Sequence, residues 1–156
     1  MTTTTQTLDE FLRARLDDDE AAARAASPGG WQYGDVESVA GGMLYDTTRT
    51  IATMLYEQPE DHDGSIVRHM LSSEADANGR HIVRHDPARV LADVTAKRLI
   101  LDLRYSTQLQ ADRAGSDPTH PFVITFRSQL ITYDAVLRTL ATAYRDHPDY
   151  RDEWKP

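Results

Sequence analysis

His81 and His85, followed at once by Asp86, come nearest to chemistry by residue type and spacing. Two imidazoles four positions apart share one face of a helix and, with a carboxylate beside them, suit zinc or another divalent ion. The spacing works only inside a helix. Asp86 stands directly before Pro87, and that pair reads as an N-cap followed by the first helical position: the Asp oxygen accepts a free backbone N–H, and Pro has no N–H to waste there. Both histidines then precede the helix. No metal is therefore expected; His81, His85 and Asp86 are the candidates weighed, and a third ligand would have to come from His62, His69 or elsewhere. His69 with Asp61 or Asp63, and His147 with Asp146 and Asp149, are the other acid/base pairs. Each lies in a polar turn, where such residues collect without any chemistry.

The chain has no cysteine, which excludes a disulfide scaffold, a thiolate zinc site and a cysteine nucleophile, and fits a reducing, cytoplasmic compartment. No serine sits in a G-x-S-x-G setting, and neither G-x-x-x-x-G-K-[ST] nor G-x-G-x-x-G occurs; Gly29-Gly30 and Gly41-Gly42 read as turns. The acidic run Asp17 to Glu20 cannot converge on one ion, because consecutive helical residues point to different sides. Trp31 and Trp154 read as covers of the core rather than as a stacking platform. No catalytic residue is assigned and no cofactor is expected.

The element that would position these residues is the central stretch His81–Arg104. Val90, Leu91, Val94, Leu101 and Tyr105 recur at helical spacing on one face, and Asp93 with Lys97 forms an i,i+4 pair on another. At 156 residues and 40 % hydrophobic content, the chain suffices for a single domain, 1–156. The formal charge is −8, yet Arg80 to Arg104 carries six basic residues against three acidic ones. That mildly basic stretch reads as lying beside Asp17, Asp18, Asp19 and Glu20 in the same molecule, and nucleic acid is not the expected partner. No basic-plus-apolar leader opens the sequence, and no apolar run approaches the roughly 18 residues of a membrane span.

Thr7 to Ala26 predicts a first helix, opened by a capping box between Thr7 and Glu10, with Leu8, Phe11, Leu12 and Leu16 on its apolar side and Ala22, Ala23 and Ala26 continuing it. Residues 1–6 read as a frayed terminus. Ser27 to Gly30 stops the helix, and the aromatic and β-branched runs from Trp31 to about Tyr56 predict a small antiparallel meander of about three strands. A helix capped by Asp46 is the alternative for 46–58; the threonines there favour strand. Gln58 to Gly64 reads as an acidic loop. Ser65 to Asp76 reads as a short helix with Ile66, Met70 and Leu71 inward, and Asn78-Gly79 as a turn. The polar stretch 106–119 reads as a connector or a fraying helix end.

From about Pro121 to Tyr144, the residues Phe122, Phe126, Leu130, Tyr133, Leu137, Leu140 and Tyr144 are spaced 4, 4, 3, 4, 3 and 4, the pattern of a packed helical seam. The central helix can cover only part of so wide a stripe. Phe126, Leu130, Tyr133, Leu137, Leu140 and Tyr144 are therefore the candidate partner-binding residues, and a homodimer through this helix is expected. Beyond Pro148, Tyr150 and Trp154 fold back over the core.

Three blocks in order, LDEFLRARLDDDEAAARAASPGGW, HIVRHDPARVLADVTAKRLILDL and LATAYRDHPDYRDEWKP, resemble an uncharacterised family of short actinobacterial and actinophage proteins, a domain of unknown function. The resemblance implies a helix, a small sheet and further helices, and it brings no activity. A phage or mobile-element setting implies action on a host component. The expectation is thus an α+β domain with an N-terminal helix, a small antiparallel meander and a helical C-terminal half. It would act as a non-enzymatic protein-binding or modulator module of unknown target. The alternative is a metal-dependent hydrolase using the His/Asp cluster, and a weaker one is an acidic mimic of nucleic acid.

Overall fold

The computed structural model describes residues 6–27, 30–35, 41–45, 50–55 and 73–156. Their elements are α1 (Leu8–Ala25), β1 (Gln32–Asp35), β2 (Gly41–Tyr45), β3 (Thr50–Leu55), α2 (Ser73–Arg84), α3 (Pro87–Ala114) and α4 (Pro121–Ala141), followed by single 3-10 turns at Thr142–Tyr144 and Asp152–Trp154. The expected α+β class is corrected by this inventory. Four helices of 18, 12, 28 and 21 residues stand against three strands of four, five and six, so the described chain is predominantly helical. The acidic loop at 58–64, most of the helix expected at 65–76, nearly all of the frayed terminus and the histidines His62 and His69 lie outside the described residues.

Local signals set the helix starts. The Glu10 amide donates to Thr7 Oγ1 at 3.2 Å and the Thr7 amide to Glu10 Oε2 at 2.8 Å, the reciprocal pair of a capping box. These bonds hold the Glu10 carboxyl below its ordinary pKa, with the Thr7 amide the larger cause. Asp86 caps α3 as expected, its Oδ1 accepting the Arg89 amide at 2.8 Å. Asp86→Ala is expected to cost about 1 kcal/mol in a thermal melt, whereas Asp86→Asn and Asp86→Ser keep most of that. Equal behaviour of all three variants would remove the cap from the account.

The connector expected at 106–119 is mostly helix: α3 continues through Ser106 to Ala114, and only Gly115, at φ +89°, ends it. The Ser106 and Thr107 hydroxyls donate to the Leu103 carbonyl, so these polar residues return their side chains to their own helix. In the turn that follows, Asp117 Oδ1 accepts from the Thr119 amide and hydroxyl, and Pro121 opens α4.

Two compact units emerge, Ala21–Ala92 and Asp93–Pro156, the second together with α1 as far as Glu20. In the first, β1, β2 and β3 pair antiparallel in sequence order, with Gln32 opposite Tyr45 and Gly41 opposite Leu55, and an irregularity at Leu44/Tyr45. Gly41 and Gly42 are thus strand residues and not a turn. Residues 50–55 are strand, as the threonines indicated.

Gly79 corrects a second reading, since it lies inside α2 and not in a turn. A Cβ at Gly79 would come 2.3 Å from Cε2 of Tyr33, whose ring occupies that space. Alanine improves helix propensity by about 1 kcal/mol, but overpacking costs about 1–3 kcal/mol. Gly79→Ala is therefore expected to lower stability in urea melts, and adding Tyr33→Ala to relieve the clash. A stabilised single variant would show that the ring does not pack there.

In the second unit, the core is built from Phe11, Leu12 and Leu16 of α1, Val94 and Leu101 of α3, Val123, Leu137 and Ala141 of α4, and Trp154, none more than 5 % exposed. Tyr105, expected on the apolar face of α3, is instead 59 % exposed.

Candidate functional site

The densest gathering of titratable and aromatic side chains in the second unit surrounds Phe11. Its ring meets Trp154 at 4.8 Å between centroids, His147 at 5.7 Å, Tyr150 at 6.1 Å and Tyr144 at 6.3 Å, the last three edge-on. The C-terminal aromatics do fold back over the core, and they close on α1. Arg15, one turn beyond Phe11, places Nη1 3.0 Å from Nδ1 and 2.6 Å from Nε2 of His147, and pairs with Asp18 at 2.8 Å. Tyr144 donates its hydroxyl to Asp19 Oδ2 at 2.6 Å. Burial first, and the bond to Asp19 second, push the Tyr144 hydroxyl pKa above the ordinary tyrosine range.

These polar groups hold one another. The acidic run of α1 divides among separate partners: Asp17 and Glu20 bind Arg98, Asp18 binds Arg15, and Asp19 accepts from Tyr144. Arg98 of α3 thus meets acidic side chains of α1, and in the opposite sense Arg13 of α1 meets Asp102 of α3 at 3.3 Å. His147 accepts the Asp149 amide at Nδ1, 3.1 Å away, with the Asp149 carboxylate at 3.9 Å. That pair therefore helps fasten the C-terminal segment.

His81 and His85 lie elsewhere than expected. His81 is in the last turn of α2 and His85 follows directly after it, so the helix before Asp86, and not the one after, positions the pair. Their rings are 4.4 Å apart between centroids. Asp86 faces the other way in function, its Oδ1 engaged with the first turn of α3. Among the described residues no three His, Cys, Asp or Glu side chains gather around a point that could hold a metal ion.

The seam of α4 is split by the structure. Leu137 is 1 % exposed and Tyr144 is tied to Asp19, while Phe126, Leu130, Tyr133 and Leu140 are half-buried and Phe122 is 64 % exposed. Val123, absent from the expected stripe, is 2 % exposed. Large apolar groups missed by the sequence reading stand in solvent: Leu99 at 59 %, Leu103 at 52 %, Ile124 at 54 % and Ile131 at 72 %. The signal for them was present as a second spacing, four residues between Leu99 and Leu103 and seven between Ile124 and Ile131.

Where α3 turns into α4 there is an open cleft of about 530 Å³, lined by Gln108, Asp112, Ser116, Val123, Arg127 and Leu130. Polar Gln108, Asp112, Ser116 and Arg127 share its lining with apolar Val123 and Leu130. No helix among the described residues is long and apolar enough to cross a membrane.

Comparison with curated proteins and with solved structures gives no match. A family model does match, over residues 5–156, nearly the whole of the chain, and the protein belongs to that family, a family of unknown function (DUF6221).

Proposed function

We propose that this chain is a non-enzymatic protein-binding module whose contact surface is made by the exposed apolar side chains of α3 and α4. The observation that carries this reading is the exposure of Leu99, Leu103, Phe122 and Ile131, each more than half in water, on helices that already bury Leu101, Val123 and Leu137. Isolated exposed apolar residues are ordinary, but four of this size in one helical unit favour a partner. A second copy of the chain is the first partner to test, and a host protein the second if the phage setting implied by the resemblance holds.

The experiment compares wild type with Leu103→Lys/Ile131→Lys. Both positions are exposed, so the variant should fold and melt like wild type. Light scattering up to high micromolar concentration reads self-association, and quantitative co-purification from the native host reads a foreign partner. The expected result is an association that the double variant loses. A monomeric wild type whose co-purifying proteins are unchanged in the variant rejects the surface.

A further inference from the structure

The structure assigns a two-histidine site for a divalent ion of the copper(II) or nickel(II) class to His81 and His85, at the junction of α2 and α3. Three observations converge there. Both side chains are exposed, so an ion reaches them without opening the fold. Their ring centroids are 4.4 Å apart. Nδ1 of His85 lies 3.0 Å from the carbonyl oxygen of His81.

The third observation fixes the chemistry of one ligand. A carbonyl oxygen can only accept, so Nδ1 of His85 carries the hydrogen, which in the neutral ring leaves the lone pair on Nε2. Metal-binding imidazoles are commonly prepared in this way, with the far nitrogen donating to a carbonyl that sets the tautomer and the ring orientation. The same bond serves the helix end: the His85 amide turns to Ile82, and the His85 ring supplies the donor that the His81 carbonyl would otherwise lack.

The spacing of the rings favours one class of ion. With metal–nitrogen bonds of about 2.0–2.1 Å and a ring centre about 1.1 Å beyond each nitrogen, two imidazoles on one ion have centres about 4.5 Å apart at a 90° angle and about 5.1 Å apart at a tetrahedral one. The observed 4.4 Å, with the ring planes tilted 43° to each other, lies nearer the right-angle spacing than the tetrahedral one. Cis ligation at 90° belongs to tetragonal copper(II) or nickel(II), whereas a structural zinc site wants four tetrahedral protein ligands. Asp86 is engaged at Oδ1 by the Arg89 amide, so the site takes two protein nitrogens and completes its coordination with water. Two ligands make a labile site, one that samples the ion and does not retain it through dialysis.

The test uses metal-free protein and the ion alone. Calorimetric titration with nickel(II), and separately copper(II), should give one ion per chain with a dissociation constant on the order of micromolar. His81→Gln and His85→Gln should each weaken binding at least roughly tenfold, while His120→Gln leaves it unchanged. Circular dichroism confirms that each variant is folded, and paramagnetic resonance of the copper complex should show two ring nitrogens, reduced to one in either single variant. No uptake below about 1 mM, or undiminished uptake by the folded His81→Gln/His85→Gln double variant, overturns the assignment.

Discussion

Phe11→Ala should cost about 3–5 kcal/mol, the range for deleting a buried ring, and leave little or no folded second unit at 37 °C. The reason is the number of surfaces that depend on this one side chain. Phe11 is fully buried, and Tyr144, His147, Tyr150 and Trp154 all rest on it while the Arg15 guanidinium lies 5.5 Å from its ring centre. Those groups are set at different angles around the ring, so no single neighbour can move in to fill the void without abandoning its own bonds, above all the Tyr144–Asp19 and Arg15–His147 pairs. Urea denaturation followed by near-ultraviolet circular dichroism reads both the stability and the loss of fixed aromatic packing. Phe11→Leu, which keeps most of the volume, should retain more than half of the lost stability. A deficit below about 1 kcal/mol for the alanine variant would mean that the C-terminal segment does not close on α1.

Leu137→Glu should abolish the folded state at neutral pH. The substitution removes a fully packed side chain, worth about 2–5 kcal/mol in large-to-small series, and asks for an ionised carboxylate where almost no water reaches. The buried side of α4 to which it belongs is otherwise formed by Val123 and Ala141, neither of which offers a cation. Ile131→Glu, on the same helix and 72 % exposed, makes the comparison, and its effect should stay within about 0.5 kcal/mol. Size-exclusion chromatography with far-ultraviolet circular dichroism separates the outcomes. A folded, monomeric Leu137→Glu protein would return Leu137 to an interface between chains.

What was legible in the sequence was whatever depended on near neighbours. Thr7 and Glu10 satisfy each other across three residues, and Asp86 with Pro87 does its work within one turn, so their types and spacing were enough. Gly79 was misread because its reason is Tyr33, a residue far away in sequence whose ring needs the missing Cβ. Asn78-Gly79 looks like a turn to any local reading. From Ser106 to Ala114 polarity suggests a connector or a fraying helix end, yet hydroxyls that bond back to Leu103 and a Gln108–Asp112 pair are compatible with helix.

The Asp86 cap relates the histidine pair to the helix that follows it, whereas the helix that precedes it sets its geometry. In α4 the period of the seam was right and its phase was off by a fraction of a turn, which is how Val123 came to be buried and Phe122 exposed. Periodicity reports that a face exists; which of two neighbouring faces is covered depends on elements the period does not contain.

The closure of the C-terminal segment over α1 also fixes an order of events during synthesis. Arg15 and His147 are 132 positions apart and Asp19 and Tyr144 are 125, so the ring of Phe11 leaves the ribosome long before the groups that will hide it. Closing so long a loop is slow relative to forming the helices, and the nascent chain carries a bare phenylalanine throughout that interval. A chain cut short before Tyr144 lacks all four of the rings that rest on this phenylalanine.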